Sequence, residues 1–250
     1  MPVTVTEGDA AAVVTLRWPE RRNALGHHEA AEVAEAITTA GRSTTAATVV
    51  LTGEGAFCAG GDLESFAELS ERARDDHDVR EHVYGEVQAV TRALRACPLP
   101  TIAAVDGPAI GLGLDLSLAC DMRFVGESGW LQQGWARAGL IHGVGGVAFL
   151  RALDPNLLWS WIASQDRYGP ADCARLGLGE DAGASALTAA LERAGQLASI
   201  DRDVLLAYVE LDRPLRWPNE EHMRQSASFQ AHFIGSERFR TLAAAILAGR

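Results

Sequence analysis

The stretch TIAAVDGPAIGLGLDLSLACDMRFV, residues 101–125, contains the pattern that decides the fold. Residues 101–105 are a short apolar run, typical of a strand buried on both faces. Glycines at 107, 111 and 113 mark a turn, and residues 112–119 then have helical character. Residues 121–125 are a further strand candidate. A strand, a glycine-rich turn and a helix in this order allow backbone N–H groups to converge on an anion.

A second copy of this unit lies earlier in the chain. Residues 48–52 (TVVLT) are again apolar and β-rich, and they lead through a glycine-rich turn into AFCAGGDL, residues 56–63. Residues 63–96 are charged and periodic, which predicts helix with a break near residues 75–76. Because both units alternate strand and helix, the pattern predicts an α/β fold.

The flanking segments extend the pattern. Residues 3–5 and 12–18 are β-rich and are separated by the turn Glu7-Gly8-Asp9, which predicts an N-terminal hairpin. Small apolar residues at helical spacing predict a helix over 30–40 that ends at Gly41. The C-terminal part is largely helical in character, with further helices predicted at 147–153, 170–176, 184–197, 203–211 and 236–248.

Charge and composition restrict the classes of function. The chain has 250 residues, 48% of them hydrophobic and 22% charged, as expected of a globular protein rather than a disordered one. Its net charge of -11 opposes binding to nucleic acid and to anionic membranes. All 22 basic residues are arginine. The absence of lysine excludes a Schiff base, a P-loop and a kinase-type phosphate clamp.

Cysteine usage and the N-terminal sequence indicate the compartment. The four cysteines are widely spaced and form no CxxC pair, which favours a reducing environment. The first residues lack the layout of a signal peptide, and no apolar run reaches the roughly 18 residues of a membrane span. We therefore expect a soluble, cytoplasmic protein with no membrane partner.

Two segments, AFCAGGDL (56–63) and AAVDGPAIGLGLDLSLACDMRF (103–124), together resemble the enoyl-CoA hydratase/isomerase, or crotonase, superfamily. One glycine loop alone would be weak support. Four further segments match in the family's order, so that the resemblance extends over most of the chain: WPERRNAL (18–25), AGLIHGVGG (138–146), ADCARLGL (171–178) and SERFRTLAAAIL (236–247).

The resemblance implies a crotonase-like spiral of repeated ββα units with a C-terminal helical region. Residues 1–180 would form the spiral core that binds acyl-CoA, and residues 181–250 a helical trimerisation region. The implied assembly is a homotrimer or a dimer of trimers. The implied partner is an acyl-CoA thioester, with no cofactor apart from the coenzyme A of the substrate itself.

Family members stabilise an enolate oxyanion at the thioester carbonyl with two backbone N–H groups, one from each glycine loop. Carried over to this sequence, the first donor is the N–H of Gly61. The second is the N–H of Leu112, a position at which many relatives have glycine. Leucine serves equally well if its φ is negative, since only the N–H is used. Leu112 also opens a helix, so the partial positive charge of the helix N-terminus would add to the donors.

Hydratases of this family use two glutamates for proton transfer. The first position falls on Asp115, one helical turn after Leu112, which makes Asp115 the leading acid/base group. The alternative is an acid placed near a helix N-terminus for the dipole. The second position falls near Trp135, which can neither take nor give a proton. This departure counts against ordinary hydration and simple isomerisation; Trp135 would instead stack on a flat acyl group or fill the pocket.

His142 lies beside the glycine-rich turn, seven residues after Trp135, and an imidazole exchanges protons near neutral pH. It has two interpretations, a catalytic substitute for the missing carboxylate or a hydrogen-bonded loop histidine. Gln132 and Gln133 could orient a water but not activate it.

Substrate contacts are expected around the same loops. Arg22 is a candidate for the coenzyme A phosphates, as are Arg238 and Arg240. Asp62 is more readily explained as a helix cap than as a catalyst. The full set of predicted substrate-binding residues is Arg22, Ala24, Ala59, Asp62, Leu63, Gly111 and Trp135, with Ala24 and Ala59 acting through backbone atoms.

The predicted activity is transformation of an acyl-CoA through a thioester enolate, nominally enoyl-CoA hydration. Isomerisation, decarboxylation or hydrolysis of another acyl thioester is the alternative, and an acyl-CoA-binding homologue with reduced catalysis is a rival from another class. RNA binding, found in one branch of the family, is disfavoured by the acidic composition. No metal site is expected, because His27-His28-Glu29 and Glu220-Glu221-His222 lack metal-ligand spacing.

Overall fold

The computed structural model describes residues 2–249 and contains eight strands in that range. In chain order they are β1 (Val3–Glu7), β2 (Ala11–Leu16), β3 (Thr48–Gly53), β4 (Thr101–Val105), β5 (Pro108–Ile110), β6 (Met122–Val125), β7 (Trp130–Gln132) and β8 (Glu180–Asp181). Six of them form one sheet in the order β1-β2-β3-β4-β6-β8, and β5 pairs with β7 in a second, smaller sheet. The β1–β2 hairpin is antiparallel, and all other pairs are parallel.

Twelve α-helices accompany these strands within the described range. They are α1 (His27–Gly41), α2 (Leu63–Arg72), α3 (Asp76–His82), α4 (Ala89–Ala96), α5 (Leu112–Ala119), α6 (Gly146–Leu153), α7 (Leu157–Ser164), α8 (Pro170–Arg175), α9 (Ala186–Ala198), α10 (Arg202–Arg216), α11 (Glu220–Ile234) and α12 (Glu237–Ala248). Short 3-10 turns occupy Pro19–Arg21 and Ala136–Ala138, and a π-helical turn occupies Val83–Val87.

The centre of the large sheet is buried on both faces, as its apolar sequence predicts. Side chains of a strand alternate between faces, so Val49 and Leu51 of β3 join the main core while Val50 joins a second apolar cluster. Alanines of α9 cover that second cluster. The sheet therefore forms the middle layer between α9 and the remaining helices.

Most elements predicted from the sequence are confirmed. The hairpin, β3, β4 and α5 lie where their patterns place them, and the helical stretch 63–96 is interrupted at residues 73–75. The α/β class with a helical C-terminal region is confirmed as well. Helix α1 begins three residues earlier than predicted, at His27.

Several elements were missed for identifiable reasons. The strands β5 and β7 have three residues each, too few for an alternating pattern to be recognised. Helix α7 (LLWSWIAS) is apolar at most positions and lacks the charged face by which a surface helix is recognised. Helix α11 is rich in polar residues, yet its buried positions Met223, Ala227, Ala231 and Ile234 follow helical spacing and would have revealed it.

The C-terminal helices do not all form a separate layer. Helix α9 packs on the sheet through Ala186, Ala190 and Ala194. A division of the chain between residues 180 and 181 remains a prediction. Within residues 2–249, every helix is too short or too polar to cross a lipid bilayer.

Candidate active site

The first glycine loop, within residues 56–63, forms backbone hydrogen bonds with the segments around Leu25 and Ile110. The Leu25 amide donates to the Gly60 carbonyl and the Asp62 amide donates to the Leu25 carbonyl, both at 2.9 Å. Gly61, between these two positions, forms a parallel bridge with Leu25. Because successive amides of an extended segment point to opposite sides, the Gly61 N–H faces away from this bridge.

The side chain of Asn23 fixes this loop, although the sequence analysis did not single it out. Its backbone is left-handed, with φ of 57°, a conformation that asparagine tolerates. Its carboxamide accepts from the Trp18 amide at 2.7 Å and donates to the Ala56 carbonyl at 2.6 Å. The asparagine of the NAL segment, residues 23–25, was the feature of the sequence that could have identified this residue.

The second glycine loop enters α5 and touches the first loop. Gly111 has a φ of 53°, and its amide donates to the Gln132 carbonyl at 3.0 Å. A Cβ on Gly60 would come within 2.9 Å of the Ile110 carbonyl oxygen, so only glycine permits this approach. Leu112 is the first residue of α5 and is absent from the positive-φ residues, as its predicted role requires. Its N–H has no acceptor within the helix.

Asp115 is completely buried and its carboxylate is bonded on both oxygens. Its Oδ1 lies 2.7 Å from His142 Nδ1, and its Oδ2 accepts from Trp135 Nε1 at 3.1 Å. The three side chains therefore form one network that links α5 to the loop before α6. Both partners come from segments that follow Asp115 by 20 or more positions.

Trp135, near which the family resemblance places the second carboxylate, lies against the second glycine loop. Its indole packs against Gly111, since a Cβ there would lie 3.5 Å from the ring. The indole N–H points at Asp115. Trp135 is thus buried between Gly111 and Asp115 and holds one oxygen of this carboxylate, while its role toward an acyl group stays a prediction.

The bond to Asp115 fixes the tautomer of His142. A carboxylate accepts, so Nδ1 carries the proton and Nε2 of the neutral ring has a free lone pair. His142 is 3% exposed, and its Nε2 is buried without a partner among the described residues. A second unpartnered buried atom is Nε2 of Gln133, one of the residues considered for positioning water.

Gly146 lies directly against the side chains of Asp115 and His142. It begins α6 with an ordinary helical φ, so its backbone alone gives no reason for glycine. A Cβ there would overlap the Asp115 carboxylate and the His142 ring. The N-terminus of α6 consequently lies against the carboxylate and stabilises its negative charge.

Gly146→Ala is expected to displace the Asp115–His142 pair and lower turnover at least about 100-fold, since small misplacements of catalytic groups carry such costs. Overpacking should also destabilise the fold by about 1–3 kcal/mol. Gly195→Ala is the matched control, because Gly195 is exposed in α9 and a Cβ there meets nothing within 4 Å. Steady-state kinetics and thermal melts of both variants test this, and wild-type turnover in Gly146→Ala would contradict it.

The predicted substrate-binding residues include both buried and exposed side chains. Ala24, Ala59 and Leu63 are buried, and the Ala59 amide donates to the carbonyl of Arg22, whose side chain is exposed. Asp62 caps α2 by accepting from the Glu64 and Ser65 amides, and it also pairs with Arg21 at 3.3 Å. The capping interpretation of Asp62 thus agrees with the structure.

A cysteine in the first loop is not a nucleophile. Burial raises the pKa of the Cys58 thiol to about 12, so the thiol stays protonated at neutral pH.

The site as a whole offers two backbone amides on adjoining loops and a carboxylate–imidazole pair. Such a set can stabilise an oxyanion and move a proton without a covalent intermediate.

Known proteins are similar to this chain in sequence and in fold. The model of the enoyl-CoA hydratase/isomerase family matches residues 6–245. A probable enoyl-CoA hydratase, EchA14, of Mycobacterium tuberculosis is 34% identical over 209 residues, which cover 82% of this chain and 79% of that protein. The 2,3-dehydroadipyl-CoA hydratase of Escherichia coli is 30% identical over 78% of this chain and 73% of its own length.

Solved structures support the fold. An enoyl-CoA hydratase from Bacillus halodurans superimposes with a TM-score of 0.86 at 19% identity, covering 98% of this chain and 100% of its own. An enoyl-CoA hydratase/isomerase from Mycobacterium paratuberculosis gives 0.85 at 22% identity over 98% of both chains. The family match spans nearly the whole chain, so this protein belongs to the enoyl-CoA hydratase/isomerase family and is a crotonase-type acyl-CoA enzyme, nominally a hydratase.

Proposed function

We propose that the protein hydrates a 2-enoyl-CoA thioester with His142 as the proton-transfer group, oriented by Asp115. The observation that carries the proposal is the 2.7 Å contact between Asp115 Oδ1 and His142 Nδ1, together with the buried Nε2 that has no hydrogen-bond partner among the described residues. Asp115 accepts on both oxygens, so it is better suited to positioning than to exchanging a proton. The imidazole replaces the carboxylate that Trp135 displaces.

The proposed chemistry uses one nitrogen for both proton transfers. His142 Nε2 takes a proton from water while the water oxygen bonds to C3 of the substrate. The C2=C3 π pair becomes the C1=C2 bond, the carbonyl π pair moves to the thioester oxygen, and the resulting enolate accepts from the Gly61 and Leu112 N–H groups. The enolate then collapses as C2 takes the proton back from Nε2. The net change is addition of H and OH across the double bond.

The magnitudes are sufficient for catalysis with a single proton-transfer group. A positioned general acid/base contributes about 10²–10⁴-fold in rate. Each preorganised oxyanion donor contributes about 10²–10³-fold. Burial of Asp115 and His142 strengthens both effects, because charges interact more strongly away from water.

The remaining assignments extend the proposal. Arg22 is exposed on the loop that precedes α1, where it would meet a phosphate of coenzyme A. Arg238 and Arg240 of α12 are exposed as well and offer further contacts. No cofactor is required beyond the coenzyme A of the substrate. We propose a cytoplasmic homotrimer or dimer of trimers.

Thioester hydrolysis is the second candidate, favoured by the same Asp115–His142 pair. A water deprotonated by Nε2 would bond to the thioester carbonyl carbon, and the oxyanion would occupy the same amide donors. Cleavage of the carbon–sulfur bond would then release coenzyme A as its thiol after protonation by His142. This reaction needs no second carboxylate.

Crotonyl-CoA hydration, followed by loss of the enoyl absorbance, tests the proposal. We expect turnover with no release of free thiol. Thiol release without hydration would favour hydrolysis and overturn the primary assignment. Tight binding of acetoacetyl-CoA without turnover of a varied panel of thioesters would instead identify an acyl-CoA-binding homologue with reduced catalysis.

A further inference from the structure

A second cluster of titratable side chains lies away from the Asp115–His142 pair. His27 is the first residue of α1, His82 is the last residue of α3, and Glu86 follows in the π-helical turn Val83–Val87. Glu86 Oε2 lies 2.6 Å from Nδ1 of His27 and 3.1 Å from Nδ1 of His82. One ligand atom from each residue lies within 4.8 Å of the other two.

The local backbone brings these groups together. His82 and Glu86 are four positions apart, and Glu86 lies in the π-turn that begins at Val83 and contacts His27 at the start of α1. Single π-turns occur mainly as local insertions in α-helices and are frequent at functional sites. The rings of His27 and His82 have centroids 5.5 Å apart, close enough to share one ion.

The cluster offers an ion three ligand atoms that solvent can reach. Glu86 Oε2 contacts both Nδ1 atoms, so the ligand atoms already converge on one point. All three side chains are partly exposed, which leaves a path for an ion from solvent.

We propose that His27, His82 and Glu86 bind one divalent transition-metal ion, Zn²⁺ in the first instance. Two imidazole nitrogens and one carboxylate oxygen are a ligand set that zinc accepts, with water completing the coordination. Binding through Nδ1 requires that the proton of each neutral imidazole move to Nε2, where solvent can accept its hydrogen bond. The proposal departs from the sequence-based expectation of no metal site, since His82 and Glu86 are remote from His27 in the chain.

The ion would connect two parts of the molecule that border the acyl-CoA loops. It would join the start of α1 to the end of α3, and α1 directly follows the segment that pairs with Gly61. Metal binding to the folded state alone raises thermal stability by mass action. The melting temperature therefore provides a readout that does not depend on turnover.

Isothermal titration of the full chain with Zn²⁺, and the visible spectrum of its Co²⁺ form, test the proposal. We expect one ion per chain, a higher Tm with Zn²⁺, and at least about 100-fold weaker binding in Glu86→Gln and in His82→Ala, since even outer-shell changes cost 10–100-fold. His77→Ala is the matched control, because His77 is an exposed histidine of the same helix as His82, and it should bind normally.

Two outcomes would overturn the assignment. The first is the absence of saturable binding by the wild-type chain. The second is binding that Glu86→Gln and His82→Ala leave unchanged, which would place the ion elsewhere. Glu86→Gln keeps the shape of the side chain, and its circular dichroism spectrum establishes that lost binding does not reflect unfolding.

Discussion

Asp115→Asn should lower kcat by about 10³-fold while acyl-CoA still binds. In the comparable carboxylate–imidazole pairs of hydrolases, the same substitution costs about 10⁴-fold because the imidazole adopts the wrong tautomer. Here the asparagine amide can donate to His142 Nδ1, which moves the ring proton to Nε2 and removes the free lone pair. Binding of acetoacetyl-CoA should be nearly unchanged, since the proposed oxyanion donors are backbone amides.

The network around Asp115 supplies the controls. Asparagine has one accepting oxygen, so it cannot satisfy both His142 Nδ1–H and Trp135 Nε1–H. The resulting loss of stability is about 1–3 kcal/mol. Trp135→Phe removes only the indole donor, and we expect a small change in kcat. Asp115→Asn with Trp135→Phe should recover part of the stability but none of the activity.

Full activity of Asp115→Asn would remove this carboxylate from the mechanism. A loss of activity in Trp135→Phe equal to that in Asp115→Asn would show that Asp115 acts through the tryptophan rather than through His142. Measurement of kcat, acyl-CoA affinity and Tm on the same preparations separates these results from a simple loss of fold.

The fold and the positions of the two glycine loops could be predicted from the sequence because local patterns encode them. Apolar strands buried on both faces, glycines at turns and a helix after each turn all act over short distances along the chain. Leu112 illustrates this: its place at the start of α5 follows from the residues next to it. Three-residue strands such as β5 have no such pattern and depend on pairing with distant segments.

The chemistry of the candidate site depends on contacts that local patterns do not encode. Asp115 and His142 are 27 positions apart, and their pairing depends on how the loop before α6 returns to α5. From the sequence, His142 had a catalytic and a structural interpretation. The structure shows the hydrogen bond at Nδ1, and the catalytic role stays a proposal that rests on the unpartnered Nε2. Gly146 lies within the motif AGLIHGVGG, but the need for glycine there follows only from the nearby Asp115 and His142 side chains, which a Cβ would overlap.

His142→Asn is expected to lower kcat by about 10²–10⁴-fold, the contribution of a positioned general base. The asparagine amide can still donate to Asp115 Oδ1, so the buried carboxylate keeps a partner and the fold should persist. What is lost is Nε2, the only nitrogen of the pair free to accept a proton.

A double substitution distinguishes a proton-transfer role of His142 from a structural one. If Asp115 acts only by orienting His142, then Asp115→Asn should cost little once His142 is already asparagine, because residues that act as a unit are not additive. Additive losses would mean that Asp115 has its own function at the substrate. His77→Asn is the control for removal of a histidine, since His77 is exposed and outside the network. A kcat of His142→Asn equal to that of the wild type would exclude His142 as the base.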